Sequence, residues 1–167
     1  MSDPLKLRAE DADDLGVVSA CLQDSIVPLA EMEFLAVEKR FVFVANRFRW
    51  ENCPETADMP VVDPAVPAVD PNLDVAFAAE CKTYERVNCG VCFEGVDAVR
   101  RRGLDQRDRG RILELLALHL ETGAVTLAFS GEAAIRLEGA RITCHLTDLG
   151  EPWTTQWRPR HPVADRL

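Results

Sequence analysis

Residues 112–138 read ILELLALHLETGAVTLAFSGEAAIRLE, and the fold turns on whether they open with a helix or a strand. Ile112, Leu115, Leu116 and Leu120 recur at spacings that would cover one helical face. The context favours strand. Thr122 and Gly123 form a turn signal, AVTLAFS beyond them is rich in β-formers, and GE leads into AAIRLE. Three such runs joined by short turns predict an antiparallel meander.

Working outward, the N-terminal side carries the one segment with clear helical periodicity. Asp11 suits the N-cap, and Asp13 and Asp14 suit the positive end of the helix dipole. Leu15, Val18, Leu22 and Ile26 then share one apolar face, predicting a helix as far as residues 23–25 before Pro28. VPLAEMEFLA and RFVFVANRFRW flank the polar VEK and predict a hairpin. In its second arm Phe41, Phe43 and Ala45 alternate with Val42, Val44 and Asn46, so both faces begin apolar. Arg47 and Arg49 then oppose Phe48 and Trp50, the pattern of a strand leaving the core for solvent.

RVNCGVCFEGVDAVRRR returns to sheet, with Gly90 and Gly95 as candidate bulges or bends. Residues 51–80 differ in kind: they hold half of the ten prolines, seven acids and no basic residue. That composition predicts an extended excursion at about residues 52–82. At the other end, prolines in EPWTTQWRPRHPVADRL predict an irregular tail over 150–167.

The expected fold class is therefore α+β: a mainly antiparallel, strongly curved sheet or partly open barrel with an N-terminal helix. It would have roughly six to eight strands and a pleckstrin-homology-like geometry. The 167 residues, 47% hydrophobic, suit one domain spanning 1–167.

RFVFVANRFRWE, CGVCFEGVDAVRRRGLDQRDR and CHLTDLGEPWTTQWRPRHP together resemble an uncharacterised bacterial family, chiefly alphaproteobacterial, known as a domain of unknown function. The resemblance covers most of the chain outside 52–82. It implies a bacterial cytoplasmic origin and brings no activity, ligand or catalytic residue with it.

Composition narrows the functions. The formal net charge is −9, and no apolar run is long enough to span a bilayer. MSDPLKLRAEDADDL lacks the layout of a secretory signal, so a cytoplasmic protein with six reduced cysteines is expected. Residues 1–85 hold 7 Lys+Arg against 17 Asp+Glu, whereas residues 86–167 hold 12 arginines against 11 acids. Such a balance disfavours nucleic acid as a partner, except through a local patch. Two patches qualify. RRRGLDQRDRGR packs six arginines into residues 100–111, where Arg100, Arg102, Arg107, Arg109 and Arg111 around Gly103 could fork onto phosphates. Asp105 and Asp108 within the same turn favour a solvated, charge-balanced loop instead. The second patch is WTTQWRPRHP, in which Trp153 and Trp157 precede Arg158, Arg160 and His161. Two tryptophans must either cover their own sheet or meet a partner. Docked, the tail could join Arg47, Arg49 and the 100–111 turn in one basic–aromatic face.

Catalytic signatures are weak. Cys89 and Cys92 have the spacing of a redox pair or half a zinc site, but on a strand residues three apart point to opposite faces. The histidines at 119, 145 and 161 have no G-x-S-x-G nucleophile turn to serve, and no phosphate-binding loop is present. The expectation is a non-enzymatic binding or adaptor protein without cofactor or metal, engaging a protein or an anionic ligand. A small enzyme with an unrecognised site and local RNA or anion binding through residues 100–111 are the alternatives. Oligomeric state is not legible from the sequence.

Overall fold

A computed structural model describes residues 3–52, 83–105 and 107–159. The predicted excursion, from residue 53 onward, and the tail from residue 160 lie outside them. In chain order the elements are β1 (Lys6–Ala9), α1 (Ala12–Leu22), β2 (Ser25–Pro28), β3 (Met32–Leu35) and β4 (Arg40–Phe48). Then follow β5 (Tyr84–Glu94), β6 (Ala98–Arg102), β7 (Ile112–Glu121), β8 (Ala124–Phe129), β9 (Ala134–Glu138) and β10 (Thr143–Thr155). The ten strands form one antiparallel sheet in the order β1-β10-β5-β4-β2-β7-β8-β9-β6, with β3 also paired to β4. The sheet is not closed: β1 and β6 end this path, and among the described residues β3 pairs with β4 alone. Its inward side chains and α1 enclose one apolar core.

The deciding stretch is the meander β7–β8–β9, and its helical look has a physical cause. The β7–β8 register shifts between Leu115 and Ala117, so the inward residues are Leu113, Leu115 and then Leu118. A bulge thus turns a spacing of two into one of three. Ile112, Leu116 and Leu120, which would have lined a helix, are exposed. At the bulge the N–H of Leu118 donates to Ser19 Oγ on α1 at 2.9 Å, and Asp24 N–H donates to the carbonyl of Leu115 at 2.8 Å. The helix and the chain leaving it are pinned to the irregularity in β7.

Helix α1 begins as predicted, with Asp11 Oδ1 accepting the Asp14 N–H at 2.8 Å. Leu15, Val18 and Leu22 are buried. It stops at Leu22, short of the predicted end, because Asp24 takes a left-handed backbone (φ 61°) that no helix continues through. Ile26 consequently belongs to β2 and points outward instead of completing the helical face. The predicted hairpin forms as β3–β4, pairing Met32 with Phe43 and Leu35 with Arg40, but its first arm starts only at Met32, because Val27 and Pro28 pair with β7 as part of β2.

Two further expectations are corrected. Gly90 is no bulge: β5 keeps its register with both β4 and β10 through it, and its bare face seats the Leu149 side chain. Gly95 does make the expected bend (φ 82°), and an added Cβ would lie 2.2 Å from the Arg141 carbonyl oxygen. The tail expected to be irregular from residue 150 instead continues β10 to Thr155. Proline is tolerated there because the register jumps from Leu149↔Asn88 to Trp153↔Arg86. Gly150, Glu151 and Pro152 sit in a bulge opposite Val87, where a missing N–H removes no ladder bond.

The Ser19–Leu118 bond generates a prediction. Ser19→Ala should cost about 1–3 kcal/mol in urea unfolding, since it orphans a part-buried N–H. An unchanged midpoint would show that the bulge does not need the helix.

Candidate functional site

On β4 the inward row runs Phe41, Phe43, Ala45 and then Arg47, so an arginine ends the core side of the strand. Arg47 is 0% exposed, against the expectation that it points into solvent. Its Nε donates to Asp148 Oδ1 and its Nη2 to Asp148 Oδ2, both at 2.8 Å. The outer edge of the fork donates to Glu51, Nη2 to Oε1 at 2.7 Å and Nη1 to Oε2 at 3.0 Å. Arg49, 4% exposed, gives Nη1 to Glu85 Oε2 at 2.7 Å and has its Nε 3.5 Å from Glu51 Oε1. Glu85, Arg49, Glu51, Arg47 and Asp148 thus alternate in sign along one chain of ion pairs. Asp148 Oδ2 also accepts the Leu5 N–H at 3.1 Å, while the Asp148 N–H donates to the Leu5 carbonyl at 2.9 Å.

Burial by itself would lower the Arg47 pKa, but the hydrogen bonds to Asp148 and Glu51 outweigh it and hold the guanidinium charged. Burial likewise pushes the Glu51 carboxyl up, but its bond to Arg47, a backbone hydrogen bond and the charges of Arg47 and Arg49 together outweigh this and leave it below its ordinary value. The physical reason for the correction at Arg47 and Arg49 is therefore carboxylate partners, some of them far away in sequence. Both residues leave the proposed basic face.

The arginine-rich stretch is split between two settings. Arg100, Arg101 and Arg102 lie on β6, an edge strand, where charge discourages pairing with another chain. Arg100 Nε donates to Glu138 Oε1 at 2.8 Å. Arg101 and Arg109 meet beside Leu29 and Met32, around a depression of about 250 Å³. In the turn itself Arg107 and Arg109 are exposed, Asp105 Oδ1 accepts the Arg107 N–H at 2.9 Å, and Arg111 Nη1 donates to the Gly103 carbonyl at 2.8 Å.

The tail tryptophans also part company. Trp153 sits in β10 opposite Arg86 and is partly covered. Trp157 is 83% exposed. With Arg158 it lines a cleft of about 420 Å³ on the outer side of β2 and β7, against Ile26, Arg86, Ile112 and Glu114. Ile112 is 66% exposed, and Asp24 lies buried at the cleft wall. Arg86 lies 5.9 Å from the Phe48 ring centroid and gives Nη1 to the Asn46 carbonyl at 3.2 Å and Oδ1 at 2.8 Å. Burial lowers its pKa, against the pull of Asp24 and Glu114. Sequence reasoning missed Arg86 and Ile112 as cleft residues. The exposed leucine-like face of 112–120 was the one available signal, and it was read as helical ambiguity. Arg160 and His161 lie outside the described residues.

Cys89 points inward and Cys92 outward, as strand geometry requires. Burial pushes the Cys89 and Cys144 thiols up to about 12, which makes them poor nucleophiles at neutral pH. His119 is exposed, and His145 Nε2 lies 3.3 Å from Glu94 Oε2. Among the described residues, no three His, Cys, Asp or Glu side chains converge as a metal site. No helix of the described residues is long and apolar enough to cross a membrane.

What the geometry defines is an open antiparallel sheet with one helix, a buried ion-pair chain and an outer-face cleft. Residues 5–161 match the family described as "Protein of unknown function (DUF2948)", and the chain belongs to that family. No curated protein and no solved structure matches it.

The depressed Glu51 carboxyl predicts a pH dependence. Its contribution to stability is complete above the ordinary value of 4.5 and is lost as pH falls through its lower folded value. Glu51→Gln should therefore unfold with a shallower loss of stability than wild type below pH 4.5 in acid titrations. Superimposable acid profiles would contradict this.

Proposed function

We propose that the protein is a non-catalytic protein-interaction module whose contact surface is the outer-face cleft around Trp157. The observation that carries this reading is the grouping of Trp157, Ile112 and Ile26, all exposed, with Arg86 and Arg158 in one cleft. Large apolar side chains clustered on a surface and fringed by charge are the usual composition of a binding patch. Of the residues expected to form a Trp/Arg face, Trp157 and Arg158 keep that role, and Arg86 takes the place of Arg47 and Arg49. The guanidinium of Arg86 makes its hydrogen bonds to described residues through Nη1.

The ionisable groups that converge most closely, Arg47, Asp148 and Glu51, bond to one another, which favours a structural over a catalytic role. Against the RNA or anion alternative stand the pairing of Arg100 with Glu138 and the net charge of −9. The same reading includes a bacterial cytoplasmic setting, where six thiols would stay reduced, and a pleckstrin-homology-like curvature that carries no function by itself.

A displayed random-peptide library selected on the folded protein tests the proposal. Sequences with apolar residues flanked by charge should be enriched on wild type and should fail to bind an Ile112→Asp variant of unchanged melting temperature. No enrichment, or binding indifferent to Ile112→Asp, would refute it.

A further inference from the structure

The patch has a composition that narrows its partner. Ile26 lies directly opposite Glu114 in the β2–β7 register, so Ile112 and Leu116, two residues to either side, are its diagonal neighbours. All three are exposed, and Trp157 stands over the same cleft. Around them Glu114 and Arg158 are exposed, Arg86 is half-buried and Asp24 lies buried at the wall, two acids and two arginines. The patch is thus formally neutral on a chain of net charge −9. We infer that it docks a second copy of this chain in an isologous contact, an inference that rests on the interface reading above and names its partner.

The charge arrangement supports a self-partner over a foreign one. In a two-fold contact the same surface appears on both sides, so a patch must complement itself. Glu114 and Arg158 are both exposed and line one cleft, so across a two-fold axis each can meet the other's counterpart. The apolar residues between them fill the centre.

The two strands that end the sheet are less suited. At the β6 edge, antiparallel self-pairing would set the arginines at 100, 101 and 102 against their own copies. The β1 edge has four residues, with Lys6 and Arg8 among them. Two acidic molecules repel at long range, so a locally neutral apolar patch is where approach costs least. A standard interface needs about 800 Å² from each partner. Neighbouring outward residues, Val44, Asn46 and Leu116, must therefore join the cleft, and the expected dimer is reversible with a Kd in the micromolar range.

Sedimentation velocity on the full chain, from about 1 μM to about 500 μM, tests the inference. Wild type should pass from monomer to dimer across that range. Ile112→Asp should remain monomeric with an unchanged melting temperature. Glu114→Arg and Arg158→Glu should each weaken association at least about tenfold, and the double swap should restore it to within about threefold of wild type. Wild type that stays monomeric at every concentration overturns the dimer, and a variant ending at Pro159 then tells whether residues 160–167 occupy the patch. Dimerisation indifferent to Ile112→Asp overturns it as well, because a different surface would then be in use. Peptide selection remains an independent readout: enriched peptides on a monomeric wild type would sink the self-partner while the interface stands.

Discussion

Arg47 is a fully buried cation on the core side of β4, and its forked grip on Asp148 and Glu51 is the constraint around which one end of the molecule is arranged. An unpaired guanidinium in that position would carry a desolvation cost of several kcal/mol. The pairing offsets that cost only because two carboxylates, one 101 residues away and one four residues along the chain, arrive with bidentate geometry. Asp148 then does more than neutralise. Through Oδ2 and its own N–H it holds Leu5, the residue just before β1, so the same carboxylate that satisfies Arg47 positions an edge strand. Glu51 extends the chain to Arg49, and Arg49 extends it to Glu85 near the start of β5. Four stretches of backbone are tied where the apolar rows of β4, β5 and β10 run out.

This sequestration also shapes the surface. Arg47 and Arg49 are consumed internally, and the edge arginines of β6 stand on the last strand beyond β9. What remains on the outer face of β2 and β7 is a mixed patch, apolar at its centre and balanced in charge at its border. Such a surface recognises shape and hydrophobic area more than polyanionic charge.

Local features were legible because their signals are short-range. The Asp11 cap, the Leu15–Val18–Leu22 face, the β3–β4 hairpin and the turns of the β7–β9 meander all lie within a few residues of their causes. The extent of α1 was misread because Ile26 fits a helical period, while the chain reverses at Asp24 through a backbone conformation that periodicity cannot register. Bulges hid two facts. One in β7 imitates a helical pattern, and one in β10 lets Pro152 sit inside a strand. The largest error was Arg47, read as solvent-facing because its partner Asp148 is 101 residues away. Alternation put it on the correct side of the strand, inward with Phe43 and Ala45, and only the habit of placing arginine outside overrode it. The cleft was half legible: Trp157 and Arg158 stood out as an aromatic–basic pair, whereas Arg86 and Ile112 share one face only through the strand order β5-β4-β2-β7.

A double-mutant cycle at Arg47 and Asp148, read by urea unfolding, tests the central claim most directly. Arg47→Met and Asp148→Leu alone should each cost about 3–5 kcal/mol, because each leaves a buried charge short of one of its partners. The double variant, with both charges replaced by apolar groups, should recover most of that loss and give a coupling energy of several kcal/mol. Single losses below about 1 kcal/mol, or losses that simply add in the double variant, would contradict the account and demote the pair to an ordinary surface contact.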